Sequence, residues 1–136
     1  AAHSLDKICY LTQSDIAWAT GSCTYLQPGT DVDGSAQMLL RTSSGISASI
    51  SLCGYSVVPI DETMLFFANG SLRLHTGSDL SVTCGSGYET VDTSSYPNAF
   101  EAQWADFISG VRAGRILYCD GTYGASIVRT IELLYH

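Results

Sequence analysis

The sequence predicts an α+β fold: an open, largely antiparallel β-sheet with helices packed on one face and the other face left open. Two patterns carry this prediction. Residues 46–53, "ISASISLC", alternate apolar and small polar side chains, which is typical of a strand with one buried face. Apolar residues at helical spacing occur near both ends of the chain, so helices flank a central sheet.

The elements of the first half follow in order. Leu5, Ile8, Cys9 and Leu11 indicate a helix that fades at residues 12–14. Aromatic and β-branched residues at 15–26 predict a strand. Residues 35–42, "SAQMLLRT", should pair with residues 46–53 through the turn "SSG", with the inward-facing residues Ala36, Met38 and Leu40.

The second half begins with a hairpin at residues 63–76, where Asn69-Gly70 predicts a type I′ turn. One or two further strands are expected at residues 78–91. Asn98 is a suitable N-cap and Gly114 a suitable end for a helix between them. Its predicted apolar stripe comprises Phe100, Trp104, Phe107, Ile108 and Val111, and that of a last helix comprises Tyr123, Ile127, Ile131 and Leu134.

Composition excludes several classes of function. The 136 residues suffice for one domain, and the net charge of -7 argues against nucleic acid and anionic membrane surfaces as partners. No apolar run has the length of about 20 residues that a membrane span needs. The five cysteines are odd in number and lack clustered spacing, which predicts free thiols, no metal site and a cytoplasmic location.

His3 and Asp6 are the candidate functional residues. Three positions apart on a helix, they share one face near its N-terminal end. They fit either two solvated polar side chains at a helix end or part of an active site, and the residues alone favour the first interpretation.

Several segments in order resemble a known family. They are His3-Ser4-Leu5-Asp6 at a helix start, "TDVDGSAQMLLRTSSGISASISL", "FFANGSLRL", and the pair "FEAQWADFISGVRAGR" and "DGTYGASIVRTIELLY". Together they are similar to the C-terminal domain of the glucose-fructose oxidoreductase/inositol dehydrogenase (Gfo/Idh/MocA) family. The likeness spans nearly all of residues 1–136, which are expected to form a single α+β domain.

The resemblance implies an NAD(P)-dependent oxidoreductase that acts on a CH–OH group of a sugar, a polyol or a related small molecule. His3 would be the catalytic residue that binds the reacting hydroxyl or relays its proton, and Asp6 would orient the helix end or His3 or contact substrate. NAD or NADP would be bound by an N-terminal Rossmann domain, whose GxGxxG motif this chain lacks. The resemblance further implies homodimers or higher oligomers through the open sheet face, with its serine row at Ser47, Ser49 and Ser51.

On this view the chain is the substrate and oligomerisation part of a larger enzyme, with no cofactor-binding or metal-binding residues of its own, and is inactive in isolation. Two alternatives remain: a non-catalytic association module that keeps the same sheet, and a small-molecule-binding domain. A Rossmann motif upstream of residue 1 would favour the enzyme over either alternative.

Overall fold

The computed structural model of the chain describes residues 2–25, 33–55 and 57–133. In these ranges it has three helices and seven strands, in the order α1 (Ala2–Thr12), β1 (Ile16–Tyr25), β2 (Asp33–Thr42), β3 (Ser47–Cys53), β4 (Glu62–Phe67), β5 (Gly70–His75), β6 (Leu80–Cys84), β7 (Gly87–Val91), α2 (Ala99–Ala113) and α3 (Gly121–Glu132). The predicted α+β class is confirmed.

The strands form two antiparallel sheets, with the orders β1-β2-β3 and β4-β5-β6-β7. The expectation of one continuous sheet is therefore wrong. The chain leaves β3 at Cys53 and resumes strand structure only at Glu62, and the intervening segment contains Pro59, which has no N–H to donate to a sheet. By contacts the chain divides into two compact units, Ala1–Tyr55 with Ile116–His136, and Ser56–Arg115.

The first unit has its core between α1, α3 and one face of the β1-β2-β3 sheet. The buried side chains are each exposed by 7% or less, and they are Leu5, Cys9, Ala36, Met38, Leu40, Ile50 and Ile127. The inward residues predicted for β2 are confirmed, and the helices of this unit pack on one face of its sheet. The last helix was also predicted to use Leu134, which lies outside the described residues.

The opposite face of this sheet carries the serine row. Ser47, Ser49 and Ser51 are exposed, whereas Ile50 between them is buried. The alternation predicted for residues 46–53 is thus confirmed for β3, because side chains along a strand point to opposite faces in turn.

The second unit contains the β4–β5 hairpin. Phe67 pairs with Gly70, so the loop residues are Ala68 and Asn69, one position earlier than predicted. Neither loop residue has a positive φ, and nor does Gly70. The predicted type I′ turn is therefore wrong, since that turn needs a positive φ at both of its central residues.

Helix α2 begins and ends where the sequence indicates. The Asn98 side chain accepts a hydrogen bond from the Glu101 N–H at 3.0 Å, and Gly114 ends the helix in the left-handed conformation with φ 64°. Its apolar stripe is largely exposed: Trp104 and Phe107 stack with ring centroids 5.6 Å apart, and both remain accessible to solvent. None of the helices in the described ranges has the length and apolarity to cross a membrane.

Candidate functional site

His3 and Asp6 lie on successive turns at the start of α1, in different environments. The His3 side chain is exposed, and Asp6 is half-buried. Leu5 between them is completely buried and anchors this end of the helix in the core. The packing of Leu5 therefore fixes the position of the helix start that carries His3 and Asp6.

The Asp6 carboxylate is bound by Tyr123 at the start of α3. The Tyr123 hydroxyl donates to Asp6 Oδ1 at 2.5 Å and also lies 3.4 Å from the Asp6 carbonyl oxygen. Tyr123 is itself positioned by the α3 N-cap, because its N–H donates to the Asp120 carboxylate at 2.8 Å. The first turns of the first and last helices are thus joined by a side-chain hydrogen bond.

The Tyr123 phenol is protonated at physiological pH, and burial strengthens that preference. Desolvation of the Tyr123 ring, followed by its hydrogen bond to Asp6, raises the pKa of the phenol far above its ordinary value. Tyr123 therefore acts as a hydrogen-bond donor to Asp6 at every physiological pH. Asp6 is engaged by Tyr123, while the His3 ring remains open to solvent.

Two more tyrosines extend the contact along α1. The Tyr118 ring lies 5.0 Å from that of Tyr123, and the Tyr10 ring meets Tyr118 edge to face at 5.4 Å. Burial also raises the pKa of Tyr118. These three rings brace the exposed side of α1 against the segment that precedes α3.

The sequence did not predict this arrangement. Tyr123 was assigned to the apolar stripe of the last helix, and the partner it binds lies 117 residues away. No local pattern identifies a donor for Asp6, because a carboxylate on an amphipathic helix is equally compatible with water. His75, on β5 of the second unit, is partly exposed, and its Nδ1 lies 3.0 Å from Asp79 Oδ1 and its Nε2 lies 3.5 Å from Glu62 Oε1.

Two further features bear on metal and cofactor binding: the possible metal-ligating side chains of the described residues and the glycine-rich segment "GSGYET" at residues 85–90. No three or more His, Cys, Asp and Glu side chains in these ranges are grouped so that they could hold a metal. In this segment Gly85 lies in the turn between the antiparallel strands β6 and β7, and Gly87 is the first residue of β7. A pyrophosphate-binding loop joins a strand to a helix N-terminus, so this strand-to-strand turn is not the loop of a dinucleotide-binding motif.

This fold occurs as one part of larger oxidoreductases of known structure. A UDP-N-acetylglucosamine 3-dehydrogenase from Acidithiobacillus ferrooxidans aligns with a TM-score of 0.81 at 19% identity, over 98% of this chain and 45% of that one. An aldose-aldose oxidoreductase from Caulobacter crescentus, solved with glycerol, aligns with a TM-score of 0.81 at 21% identity, over 98% of this chain and 42% of that one.

A biliverdin reductase from Synechocystis, solved with biliverdin and NADP+, aligns with a TM-score of 0.71 at 16% identity, over 97% of this chain and 44% of that one. No protein-family model and no curated protein sequence matches the chain. The resemblance stated from the sequence is confirmed as a likeness of fold. This chain spans less than half the length of the proteins that share it.

Proposed function

We propose that this chain is the substrate-binding and oligomerisation part, C-terminal to a Rossmann domain, of an NAD(P)-dependent oxidoreductase of the Gfo/Idh/MocA type. Its substrate is a sugar, a polyol or a related small molecule, which reacts at a CH–OH group. The observation that carries the proposal is the extent of the fold likeness: almost all of this chain aligns with under half of each oxidoreductase. Two of those proteins act, by their names, on sugars.

In this proposal His3 is the catalytic residue. Oxidation of an alcohol removes a hydride from carbon and a proton from oxygen, and the hydride chemistry belongs to the nicotinamide cofactor. The chain's own contribution is the proton: the exposed His3 imidazole accepts it from the substrate hydroxyl. Asp6, held by Tyr123, keeps this end of α1 in place and offers its second carboxylate oxygen to the substrate.

The test uses the longer protein that the proposal implies, with the Rossmann domain ahead of residue 1. Its activity on a panel of sugars and polyols is measured from the absorbance of the reduced nicotinamide that forms. Replacing His3→Ala should lower kcat by about 10²–10⁴-fold, the usual contribution of a general base. His75→Ala is the matched control, because this histidine lies on β5 in the other compact unit. Full activity in His3→Ala would refute the assigned role.

The 136-residue chain alone should bind neither NAD nor NADP. A fluorescence titration with NADH and NADPH tests this directly. Micromolar binding would contradict the proposal that the cofactor is held by a separate Rossmann domain. If the longer protein proved unable to transfer hydride yet still associated through its sheet, the alternative of a non-catalytic association module would be favoured.

The proposed partner for oligomerisation is a second copy of the chain, bound through the open face of the β1-β2-β3 sheet. On this face Leu39 lies opposite Ser49 and Thr20 in the strand register, and its side chain is 58% exposed. Small hydroxyl side chains around an exposed leucine let two flat sheet faces approach closely.

Analytical ultracentrifugation of the chain should show a dimer or higher oligomer that Leu39→Glu disrupts. Val57→Glu serves as the control, because Val57 is also an exposed apolar residue but lies outside this sheet. A monomer at high concentration would count against the proposal. We also propose a cytoplasmic, reducing location, because an odd number of cysteines without clustered spacing does not suit a disulfide framework.

A further inference from the structure

The first unit contains a cavity that the proposed function does not use. Its volume is about 490 Å³, and it lies between the C-terminal end of α1 and the turn that joins β2 to β3. Among the α1 residues in its wall, Cys9 is the nearest to His3 in sequence. Cys9 lies about 9 Å from His3 along the helix axis, at about 1.5 Å per residue. The cavity is thus displaced from His3, and it shares Tyr118 and Tyr123 with the arrangement around Asp6.

Hydrogen bonds hold the mouth of the cavity in one shape. Ser14 Oγ lies 2.8 Å from Ser43 Oγ and accepts the Ser44 N–H at 3.1 Å. The Ser43 N–H donates to the Asp15 carbonyl oxygen at 2.9 Å. The end of α1 and the β2–β3 turn are therefore tied together, and a ligand would meet a pre-formed site of ordinary small-molecule size.

The electrostatics of the cavity favour a cation. The last carbonyl groups of a helix carry partial negative charge, and α1 has no basic residue in its last turn to offset it. The Asp15 carboxylate adds a full negative charge, and none of the described residues that line the cavity is basic. Burial is the main cause that raises the pKa of the Cys9 thiol, and the negative charges of Asp15 and Asp6 raise it further.

The remaining wall offers acceptors and an aromatic surface. The Gln13 side chain donates its Nε2 to the Tyr10 carbonyl oxygen at 2.6 Å, which leaves its oxygen as an acceptor. Ser43 and Ser44 contribute hydroxyl oxygens beside it. The Tyr118 ring lines the same cavity and suits both sugar C–H groups and an ammonium group.

We propose that this cavity binds a small polyhydroxylated molecule that carries a primary ammonium group. Its hydroxyl groups donate to the serine and glutamine oxygens, and its ammonium group lies against Asp15 and the C-terminal end of α1. The proposal is independent of the oxidoreductase function and of His3.

The test is an NMR titration of the 136-residue chain with three probes of matched size: glucosamine, glucose and gluconate. At slightly acidic pH these are a cation, a neutral molecule and an anion. We expect glucosamine to shift the backbone amides of residues 9–15 and 43–45 in a saturable way with a millimolar Kd. Glucose should bind about tenfold more weakly, because it lacks the ammonium group, and gluconate, an acyclic carboxylate that Asp15 would repel, should not bind.

Two variants make the test specific. Asp15→Asn should remove most of the preference for glucosamine over glucose and leave glucose affinity unchanged, because only the helix-end carbonyl groups then attract the ammonium group. The Asp15 tie to the β2–β3 turn uses its backbone, so this variant retains the fold. Glu101→Gln, an exposed carboxylate on α2 in the other unit, should change neither affinity.

Three results would overturn the proposal. They are equal affinities for all three probes, saturable shifts confined to amides outside residues 9–15 and 43–45, and the absence of saturable shifts with glucosamine. Loss of hydride transfer in the longer protein would leave this test unaffected.

Discussion

Replacing Tyr123 with phenylalanine removes the hydroxyl that joins α1 to α3 through Asp6 and that also hydrogen-bonds with Tyr118. The change removes only the hydroxyl that donates to Asp6 Oδ1 at 2.5 Å and keeps the ring that contacts Tyr118. A hydrogen bond to a charged, partly buried group contributes about 1.5–3 kcal/mol net. We therefore expect Tyr123→Phe to lower the free energy of unfolding of the first unit by about 2 kcal/mol.

Urea denaturation followed by tryptophan fluorescence measures this change. Trp18 lies on β1 in the first unit, whereas Trp104 lies on α2 in the second, so a Trp104→Phe background restricts the signal to the unit of interest. Tyr10→Phe is the matched control. The Tyr10 ring meets Tyr118 through an edge contact that phenylalanine preserves, and we expect a change below about 0.5 kcal/mol.

A double-mutant cycle with Asp6→Asn assigns the effect to the pair. If Tyr123 acts through the Asp6 carboxylate, its replacement should cost at least about 1 kcal/mol less in the Asp6→Asn background than in the wild type. Equal costs in the two backgrounds, or a change in Tyr123→Phe no larger than in the Tyr10 control, would refute the reasoning.

Three other perturbations test the packing and the charges. Leu5→Ala should lower the free energy of unfolding of the first unit by about 2–5 kcal/mol, because it leaves a cavity at a completely buried position. A decrease below about 1 kcal/mol in the same denaturation assay would contradict this expectation. Hydrogen bonds from His75 and two serines lower the pKa of Asp79, so this carboxylate stabilises the fold above its ordinary pKa and loses that effect as the pH falls through the lowered value. Asp79→Asn should therefore flatten the decline in stability below about pH 4, measured by circular dichroism, and an unchanged acid limb would argue against this pairing. In thiol labelling with iodoacetamide and mass spectrometry, the exposed Cys53 should react well before the buried Cys9, whose pKa is raised by burial; comparable rates would show that this core opens readily.

The local features of this protein could be predicted because they are encoded within a few residues. The exposed serines and the buried Ile50 of β3 follow from an alternation of period two, which any strand displays. The ends of α2 follow from Asn98, whose side chain meets the backbone three residues on, and from Gly114, which accepts a left-handed conformation.

Other features depended on which elements meet in space. Asn69-Gly70 between two apolar segments predicted the hairpin, but not the φ angles of its loop. The strands also belong to two sheets rather than to the one sheet expected. His3 and Asp6 were selected by a resemblance, and the catalytic role of His3 stays a prediction.

The environment of Asp6 came from the tertiary structure alone. Tyr123 lies 117 residues from Asp6 in the sequence. A tyrosine occupies the same place in a periodic apolar pattern whether its hydroxyl binds a carboxylate or water, so the pattern cannot identify its partner. The cavity at the other end of α1 depends in the same way on serines from a distant turn. Periodicity predicts which side of an element is buried, because that follows from backbone geometry, whereas the partner across the contact is decided only when helices and sheets pack together.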